Sequence, residues 1–137
     1  MREGMEAMKD TLVAGLDSEK TYKVDEGRCI EVGGTKIYVT SALLTDVENT
    51  CADLLGEYLD PGEISVGTRI ELEQTAPTPL GMNVKVHAQL RALNGKLATF
   101  DVHVEDDKEP CAKAVHTRFV VNESQMQENV ALKAAGE

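Results

Sequence analysis

Three polar side chains, Thr40, Glu48 and Gln74, stand where they could carry out acid–base chemistry on a bound substrate. On a helical wheel Glu48 falls between Leu44 and Leu55, on the stripe that should be buried. A carboxylate there loses hydration, so its pKa should rise unless a neighbour hydrogen-bonds it. Such a group can act as a general base or a nucleophile. The alternative is a boundary position from which Glu48 reaches solvent, and the pattern alone does not choose between the two.

Gln74 and Thr40 also have simpler interpretations. Gln74 ends the inward-facing positions of a predicted strand, where its amide could hold Glu48 or orient a water. An amide cannot transfer protons as an imidazole does. Alternatively, Gln74 lies past the sheet edge and caps a loop. Thr40 stands at the mouth of a predicted helix, and taken alone its hydroxyl is better explained as a helix N-cap.

Other reaction types lack their sequence motifs. No glycine-rich phosphate loop and no Gly-x-Ser-x-Gly turn is present. The histidines fall on three separate predicted strands without metal-site spacing, so no metal is expected; they are His87, His103 and His116. The cysteines are odd in number and widely spaced, so we expect reduced, buried thiols; they are Cys29, Cys51 and Cys111.

The size and charge of the chain exclude several classes of partner. A length of 137 residues fits one domain. The net charge of −10 repels phosphate backbones and anionic lipid, so we expect neither nucleic-acid nor membrane binding. There is no run of 18 apolar residues, and the charged first ten residues do not resemble a signal peptide. These features predict a cytoplasmic protein without a bound cofactor.

The strongest predicted element is a helix over 42–58, capped by Thr40 or Ser41 and ended by the Asp-Pro-Gly at 60–62. Its apolar stripe is wide enough to pack on a sheet and consists of Leu44, Val47, Cys51, Leu55 and Tyr58. The opposite face, predicted to contact water, consists of Asp46, Asn49, Asp53 and Glu57.

The rest of the chain is mostly β. Two short strands over 20–24 and 36–39 precede the helix, with a loop around Gly33 and Gly34 between them. From 64 to 121 the alternating pattern predicts an antiparallel meander of four strands, with an Asn94-Gly95 hairpin turn in which both residues adopt positive φ. Residues 1–15 form an extension that could be helical, and 123–137 form a tail or short helix, capped by Asn122 with Gln125. The order of elements predicts an α+β fold.

Four segments together resemble the hotdog-fold acyl-CoA thioesterases, in particular the fluoroacetyl-CoA thioesterase-like branch. The segments are VTSALLTDVE (39–48), VGT (66–68), TAPTPLG (75–81) and HTR (116–118). The similarity covers about 16 to 121. In that family a Thr at the helix mouth is followed by a Glu eight residues later and a His late in the next strand. Thr40 and Glu48 match, whereas Gln74 occupies the position of the His.

The resemblance implies a hotdog domain over 16–122, in which an antiparallel sheet wraps one long central helix. It implies a homodimer with the sheets side by side, and pairing of two dimers stays open. Two active sites for a short acyl-CoA would lie between subunits. Thr40, Glu48 and Gln74 would be the catalytic group. Gly67 would lie close to the thioester, and Arg118 would line the interface or the CoA channel; from the residues alone, Arg118 would be a solvated strand residue.

Three points limit what the resemblance implies. Because Gln74 replaces the His, hydrolysis could be weak, and a non-catalytic acyl-CoA-binding protein is the alternative; the Asp/His pair of a hotdog hydratase is not found. The fluoroacetyl-specific member carries an aromatic lid before the helix, but 27–38 contains no Phe, so we predict no selectivity for a fluorinated acyl group. CoA is polyanionic and needs a local basic patch, for which the candidates are Lys85, Arg91, Lys96, Lys113 and Arg118.

Overall fold

The computed structural model describes residues 8–136, in which a curved antiparallel sheet packs on one long helix. A single 3₁₀ turn, Glu26–Arg28, precedes β2. The strands and helices in chain order are β1 Asp17–Lys23, β2 Cys29–Val32, β3 Thr35–Tyr38, α1 Thr40–Gly56, β4 Glu63–Gln74, β5 Asn83–Asn94, β6 Leu97–Asp106, β7 Pro110–Asn122 and α2 Glu123–Ala134. This arrangement confirms the predicted α+β hotdog fold.

The sheet has five strands in the order β1-β5-β6-β7-β4, and β2 and β3 form a separate hairpin. The predicted four-strand meander is therefore wrong in its pairing, because β4 pairs with β7 and not with β5. The 75–82 connection carries the chain from the edge strand β4 across the sheet to β5, next to the opposite edge. It is held to β3 by a bridge between Ile37 and Pro79. Strand β1 occupies the opposite edge, next to β5.

The core lies between α1 and the inner face of the sheet. The predicted alternation on the central strands is confirmed, since every second residue there is almost completely buried: Val84, Val86, Ala88 and Leu90 on β5, and Ala98, Phe100, Val102 and Val104 on β6. Burial of these apolar side chains is the main favourable contribution to folding. The opposing face of α1 contributes Leu43, Val47, Cys51, Leu54 and Leu55.

Helix α1 begins two residues earlier than predicted and ends at Gly56 instead of residue 58. Its N-cap residue is Val39, which offers no side-chain hydrogen bond, so the predicted hydroxyl cap is wrong. Thr40 already has helical geometry as the first residue of α1, and its hydroxyl bonds to Gln74 instead. The first-turn amide N–H groups of α1 are consequently left without a side-chain cap.

Asp46 is the clearest error in the predicted helix faces. Its side chain was expected in water, but the residue is 2% exposed. Its carboxylate accepts hydrogen bonds from the Arg28 guanidinium and the Tyr38 hydroxyl, which replace the lost hydration. Leu44, which was expected to be buried, is only half-buried.

Both predicted glycine-containing turns connect the two strands of a tight hairpin, although each differs in detail from the prediction. Gly33 and Gly34 have φ values of 58° and 79° and form the two-residue turn between β2 and β3, so the predicted loop before β3 contains an additional strand. In the second hairpin, Asn94 is the last residue of β5, and its φ is not positive. The turn there is Gly95-Lys96, with Gly95 at φ 65°.

The two ends of the described chain pack differently. Residues 8–15 form turns, with Leu12 buried in the core, and the rest of the predicted N-terminal helix lies outside the described residues. At the other end the predicted cap is confirmed, because the Asn122 side chain accepts a hydrogen bond from the Gln125 amide at 2.9 Å. None of the residues of α2 is buried. Within 8–136 no helix is both long and apolar enough to cross a membrane.

Candidate active site

Thr40 and Gln74 come together at the start of α1. The Thr40 hydroxyl donates to Gln74 Oε1 at 2.6 Å, and Gln74 Nε2 donates to the Tyr38 carbonyl at 3.1 Å. The last residue of β4 is thus tied to the residues that lead into the helix. Since the hydroxyl proton of Thr40 is engaged, its oxygen lone pairs are the part available to a ligand.

A groove of about 430 Å³ opens beside this pair. Thr40, Gln74, Thr75 and the backbone around Tyr38 provide its polar positions, and the remaining lining is aliphatic: Ile30, Val32, Ile37, Val39, Ala76 and Pro77. The positive end of the α1 dipole and the first-turn N–H groups lie at the same place. The groove can therefore accept an apolar group that ends in a carbonyl oxygen.

Glu48 lies in a second cluster, two helical turns further along α1. A Cβ built on Gly67 would lie 2.8 Å from Glu48 Oε2, 3.2 Å from His116 Cε1 and 3.3 Å from Arg118 Nη1. The carboxylate thus packs against the backbone of β4 at the one residue without a side chain. In Gly67→Ala the Glu48 carboxylate would have to move away from β4.

Arg118 is 8% exposed and not solvated as expected from the residues alone. Its guanidinium donates from Nε to Ser65 Oγ at 2.8 Å and from Nη2 to the Ser65 carbonyl at 3.0 Å. Burial lowers the pKa of Arg118, and the nearby Glu48 carboxylate opposes that shift. The alternation along β7 could have revealed this burial. Arg118 stands at an inward-facing position of the strand, together with Ala112, Ala114, His116 and Val120.

The partners of His116 fix its tautomer. Nδ1 lies 2.7 Å from the Arg69 carbonyl, which can only accept, so Nδ1 carries the proton. Nε2 lies 3.1 Å from Arg118 Nη1, which can only donate, so Nε2 is unprotonated. Burial lowers the pKa of His116, and Arg118 lowers it further against the opposing effects of the Arg69 carbonyl and Glu48. His116 is therefore a neutral support for the guanidinium.

A β-bulge shapes this cluster. The register between β4 and β7 shifts between Gly67 and Arg69, so Gly67 pairs with Arg118 while Arg69 pairs with Thr117. A bulge inserts an extra residue and turns the strand locally. Here the shift sets Gly67 beside the guanidinium while the carbonyl of Arg69 reaches His116.

The thiol nearest this cluster is not a nucleophile. Cys51 is fully buried, and burial raises its pKa to about 12, with Arg118 lowering it and Glu48 raising it. A thiol that stays protonated at neutral pH is unreactive. All three cysteines are free, as predicted, and Cys111 is also buried, but Cys29 is only half-buried, so the prediction of three buried thiols is wrong for Cys29.

The two clusters do not meet within one chain. Thr40 and Glu48 are eight residues apart on α1, which corresponds to about 12 Å along the helix axis. The structure therefore joins Thr40 with Gln74, and Glu48 with Gly67 and Arg118, but it does not bring Glu48 to Thr40 or Gln74.

The predicted basic residues do not form one patch. Arg91 pairs with Asp101 at 2.5 Å, and Lys113 lies 3.3 Å from Glu73, both on the outer face of the sheet, whereas Arg118 is buried under the inner face. Within 8–136, no group of three or more His, Cys, Asp or Glu side chains could hold a metal ion.

Comparisons with known proteins identify the relatives of this chain. A family description of fluoroacetyl-CoA-specific thioesterases, named FlK, matches residues 17–124. The fluoroacetyl-CoA thioesterase of Streptantibioticus cattleyicolor is 32% identical over 87 residues, which are 64% of this chain. The alignment spans 63% of that relative, a little less than two thirds of its length.

Solved structures show the same fold. A crystal structure of the fluoroacetyl-CoA thioesterase FlK superposes with a TM-score of 0.83 at 26% identity, covering 90% of this chain and 98% of that one. Variants of FlK have been crystallised with acetyl-CoA and with fluoroacetate and CoA. A hot-dog-like protein from Thermanaerovibrio acidaminovorans reaches a TM-score of 0.82 at 22% identity, covering 88% of this chain and 91% of that one, and supports the fold alone. Because the family match spans most of the sequence, this chain belongs to the FlK family of hotdog-fold thioesterases.

Proposed function

We propose that this protein hydrolyses short acyl-CoA thioesters as a homodimer. The observation that carries the proposal is the half-buried Glu48 carboxylate, which packs against Gly67 beside a buried guanidinium. A carboxylate in such a place can activate water, and the missing side chain at Gly67 lets it lie against the backbone of β4. The named activity of the curated relative and the ligands of the FlK crystal structures support this substrate class.

In the proposed reaction Glu48 acts in one of two ways. As a general base it takes a proton from water, the oxygen attacks the thioester carbonyl, and the C–S bond breaks to release CoA and the free acid. As a nucleophile it forms a mixed anhydride with release of CoA, and water then hydrolyses the anhydride. In both cases His116 holds the Arg118 guanidinium in place beside the carboxylate.

Thr40 and Gln74 have orienting roles in this proposal. The first-turn amides of α1 can donate to the oxygen of the thioester as negative charge develops on it. Thr40 can accept a hydrogen bond from the attacking water, and Gln74 keeps the Thr40 hydroxyl in place. Gln74 cannot itself carry a proton, so acid–base work rests on Glu48.

The separation of the two clusters supports the homodimer. Groups about 12 Å apart along one helix cannot act on the same carbonyl, so a site that uses both takes Glu48 from one subunit and Thr40 from the other. The sheet has edges at β1 and β4, and β4 carries Gly67. An unpaired edge is able to pair with a second chain.

A non-catalytic acyl-CoA-binding protein is the second candidate. The observation that favours it is Gln74, which uses its amide only to hold Thr40 and the Tyr38 carbonyl. Release of free thiol from a panel of acyl-CoA substrates separates the two functions, because a binding protein holds the thioester without cleaving it.

Replacing Glu48 with Gln tests the catalytic carboxylate. The near-isosteric amide cannot act as a base, so we expect kcat to fall by about 10²–10⁴-fold with unchanged folding. Thiol release with a chromogenic reagent measures the rate. Glu57→Gln, which changes an exposed carboxylate just after the same helix, is the control and should keep wild-type turnover. A Glu48→Gln protein as active as the wild type would contradict the assignment.

Mixing two inactive variants tests the shared site. If each site takes Thr40 and Glu48 from different subunits, heterodimers of Thr40→Ala and Glu48→Gln contain one intact site each. After exchange of subunits we expect about a quarter of the wild-type rate, because half of the dimers are mixed and each has one native site of two. Unchanged low activity after mixing, with light scattering showing a dimer, would mean that each site lies within one chain.

Replacing Gln74 with His tests the position at which this chain departs from its family. An imidazole can also accept from Thr40 and donate to the Tyr38 carbonyl, and it adds a proton carrier. We expect a higher kcat and a new inflection near pH ~6.5 in the rate profile. Loss of rate in both Gln74→His and Gln74→Ala would instead mean that the amide is adapted to the substrate. No change in rate or CoA affinity in either variant would make Gln74 structural.

The neutral state of His116 predicts a pH dependence of stability. The pKa of His116 is lowered in the folded protein, so the unfolded chain binds more protons just below pH ~6.5. The contribution of His116 to the free energy of unfolding should therefore be complete above that pH. It should decrease as the pH falls toward the pKa of His116 in the folded protein, by at most about 1.4 kcal/mol per pH unit. Urea unfolding between neutral and mildly acidic pH measures this. His116→Gln should lack this component, whereas His103→Gln, at an exposed position, should retain it.

A further inference from the structure

The buried carboxylate of Asp46 is not used by the proposed reaction, yet it is held by three hydrogen bonds. Arg28 donates to it from Nε at 2.9 Å and from Nη2 at 3.1 Å, and the Tyr38 hydroxyl donates at 2.5 Å. The hydrogen bond with Asp46 raises the pKa of Arg28, and burial together with Asp46 raises that of Tyr38. The three side chains are thus held to one another by direct hydrogen bonds.

Arg28 connects this carboxylate to the start of β2. Its guanidinium stacks over the Tyr22 ring, 5.2 Å from the ring centroid, and its backbone carbonyl accepts from the Val39 amide at 2.9 Å. The Arg28 side chain is 29% exposed, so most of it is enclosed between β1, α1 and the β2–β3 hairpin. A bidentate pair between a guanidinium and a carboxylate fixes both distance and orientation.

Strand β2 depends on this attachment more than β3 does. β3 is fixed to the 75–82 connection, since the Tyr38 amide donates to the Thr78 carbonyl at 2.8 Å and the Leu80 amide donates to the Lys36 carbonyl at 3.1 Å. β2 pairs with β3 alone among the strands of 8–136, and one of its ends is the Gly33-Gly34 turn. At its other end the Arg28 side chain is what ties β2 to α1.

The side chains that β2 presents are aliphatic and line the groove beside Thr40 and Gln74. Ile30 is 49% exposed and Val32 is 56% exposed, and both face the 430 Å³ space. No charged side chain of the described residues lines that groove. At the wall formed by Ile30 and Val32, away from the start of α1, a charged group on the ligand would lose hydration without a side chain of opposite charge, which is unfavourable.

We propose that Asp46 is a positioning residue for substrate specificity: through Arg28 it sets β2 so that Ile30 and Val32 form the wall of a groove for an uncharged aliphatic acyl chain. The proposal rests on the proposed function in that the ligand is an acyl-CoA. It adds the class of acyl group, which excludes carboxylated acyl chains, and it assigns a role to a residue that contacts neither the thioester nor CoA.

The test compares the affinities of CoA ligands whose acyl groups differ in chain length, with one carboxylated acyl group and CoA alone for comparison. Non-hydrolysable thioether analogues of acetyl-, butyryl-, hexanoyl- and succinyl-CoA, together with CoA itself, are titrated calorimetrically into the full-length protein. In the wild type we expect the affinity to increase by about fourfold per methylene until the groove is filled, because each methylene leaves water. The succinyl analogue should bind more weakly than the butyryl one.

The key variant is Arg28→Met combined with Asp46→Leu. Replacing a buried ion pair with apolar side chains of similar volume keeps many proteins folded. The Tyr38 hydroxyl also loses its acceptor in this variant, so Tyr38→Phe alone measures that part of the change. In the double variant the affinity gain per methylene should fall toward onefold, which means no gain, while the affinity for CoA stays unchanged. Amide hydrogen exchange over 29–32 should become faster. Asp46→Asn, which keeps part of the hydrogen bonding, should give an intermediate gain and provides the same test if the double variant does not fold.

Lys36→Gln is the matched control on the same hairpin. It removes the exposed contacts of Lys36 with Glu26, at 2.7 and 2.8 Å, and leaves Asp46 untouched, so the chain-length gain should stay at its wild-type value. Three results would overturn the proposal. The double variant could show the wild-type affinity gain per methylene, or it could lose affinity in equal proportion for all ligands including CoA. The third result is that the wild type binds the succinyl analogue more tightly than the butyryl one.

Hydrolysis of the matching thioesters separates this proposal from the proposed function. Turnover by the wild type with no dependence of binding on chain length would refute the positioning role and leave the hydrolase. Chain-length-dependent binding that is lost in the double variant, without any turnover in the wild type, would refute the hydrolase and leave the positioning role.

Discussion

A guanidinium cannot lose its charge at physiological pH, so the burial of Arg118 determines what can surround it. Ser65 accepts two of its hydrogen bonds, and His116 must remain neutral to accept a third. Glu48 supplies the opposite charge on α1, and it approaches only because Gly67 has no side chain. The β-bulge in β4, the helix and the last strand are thereby constrained by one buried cation. The same constraint places a carboxylate beside a buried guanidinium, in a half-buried position where a general base can act.

The periodic pattern of apolar residues is sufficient to predict the elements that bury one face and expose the other. The alternation around Val86 and Val102 predicts β5 and β6 correctly because those strands lie in the middle of the sheet. It could not predict that β4 pairs with β7, since pairing depends on where the 75–82 connection leads and not on the pattern of β4 itself. Asp46 was assigned to the water-facing side because a carboxylate is usually solvated. Its burial depends on Arg28, which is distant in sequence and whose position only the fold determines.

The candidate site was partly visible in the sequence. Thr40 and Gln74 could be paired because the family pattern links the helix mouth to the following strand, and they do bond. The distance from Thr40 to Glu48 follows from helix geometry alone, so their separation within one chain was also predictable. The role of His116 was not, because its neutral tautomer depends on a carbonyl that the bulge brings to Nδ1. Arg118 lay in the inward phase of β7, but the expectation that arginine is solvated outweighed that signal.

The charge of the protein limits where affinity for CoA can originate. With a net charge of −10 the long-range field repels a polyanion, and several exposed cations are already paired with carboxylates: Lys20 with Asp53, Lys36 with Glu26, Arg91 with Asp101, and Lys113 with Glu73. Such pairs leave little attraction for a phosphate at physiological ionic strength. Within the described residues, the uncapped start of α1 and the aliphatic groove beside it are features to which a ligand could bind without a cationic side chain. In the proposed function, affinity would then increase with the apolar area of the acyl group, so the position of the groove wall would act directly on substrate choice. This is the physical reason why we propose that a buried ion pair at Asp46, remote from the thioester, influences which acyl chain is accepted.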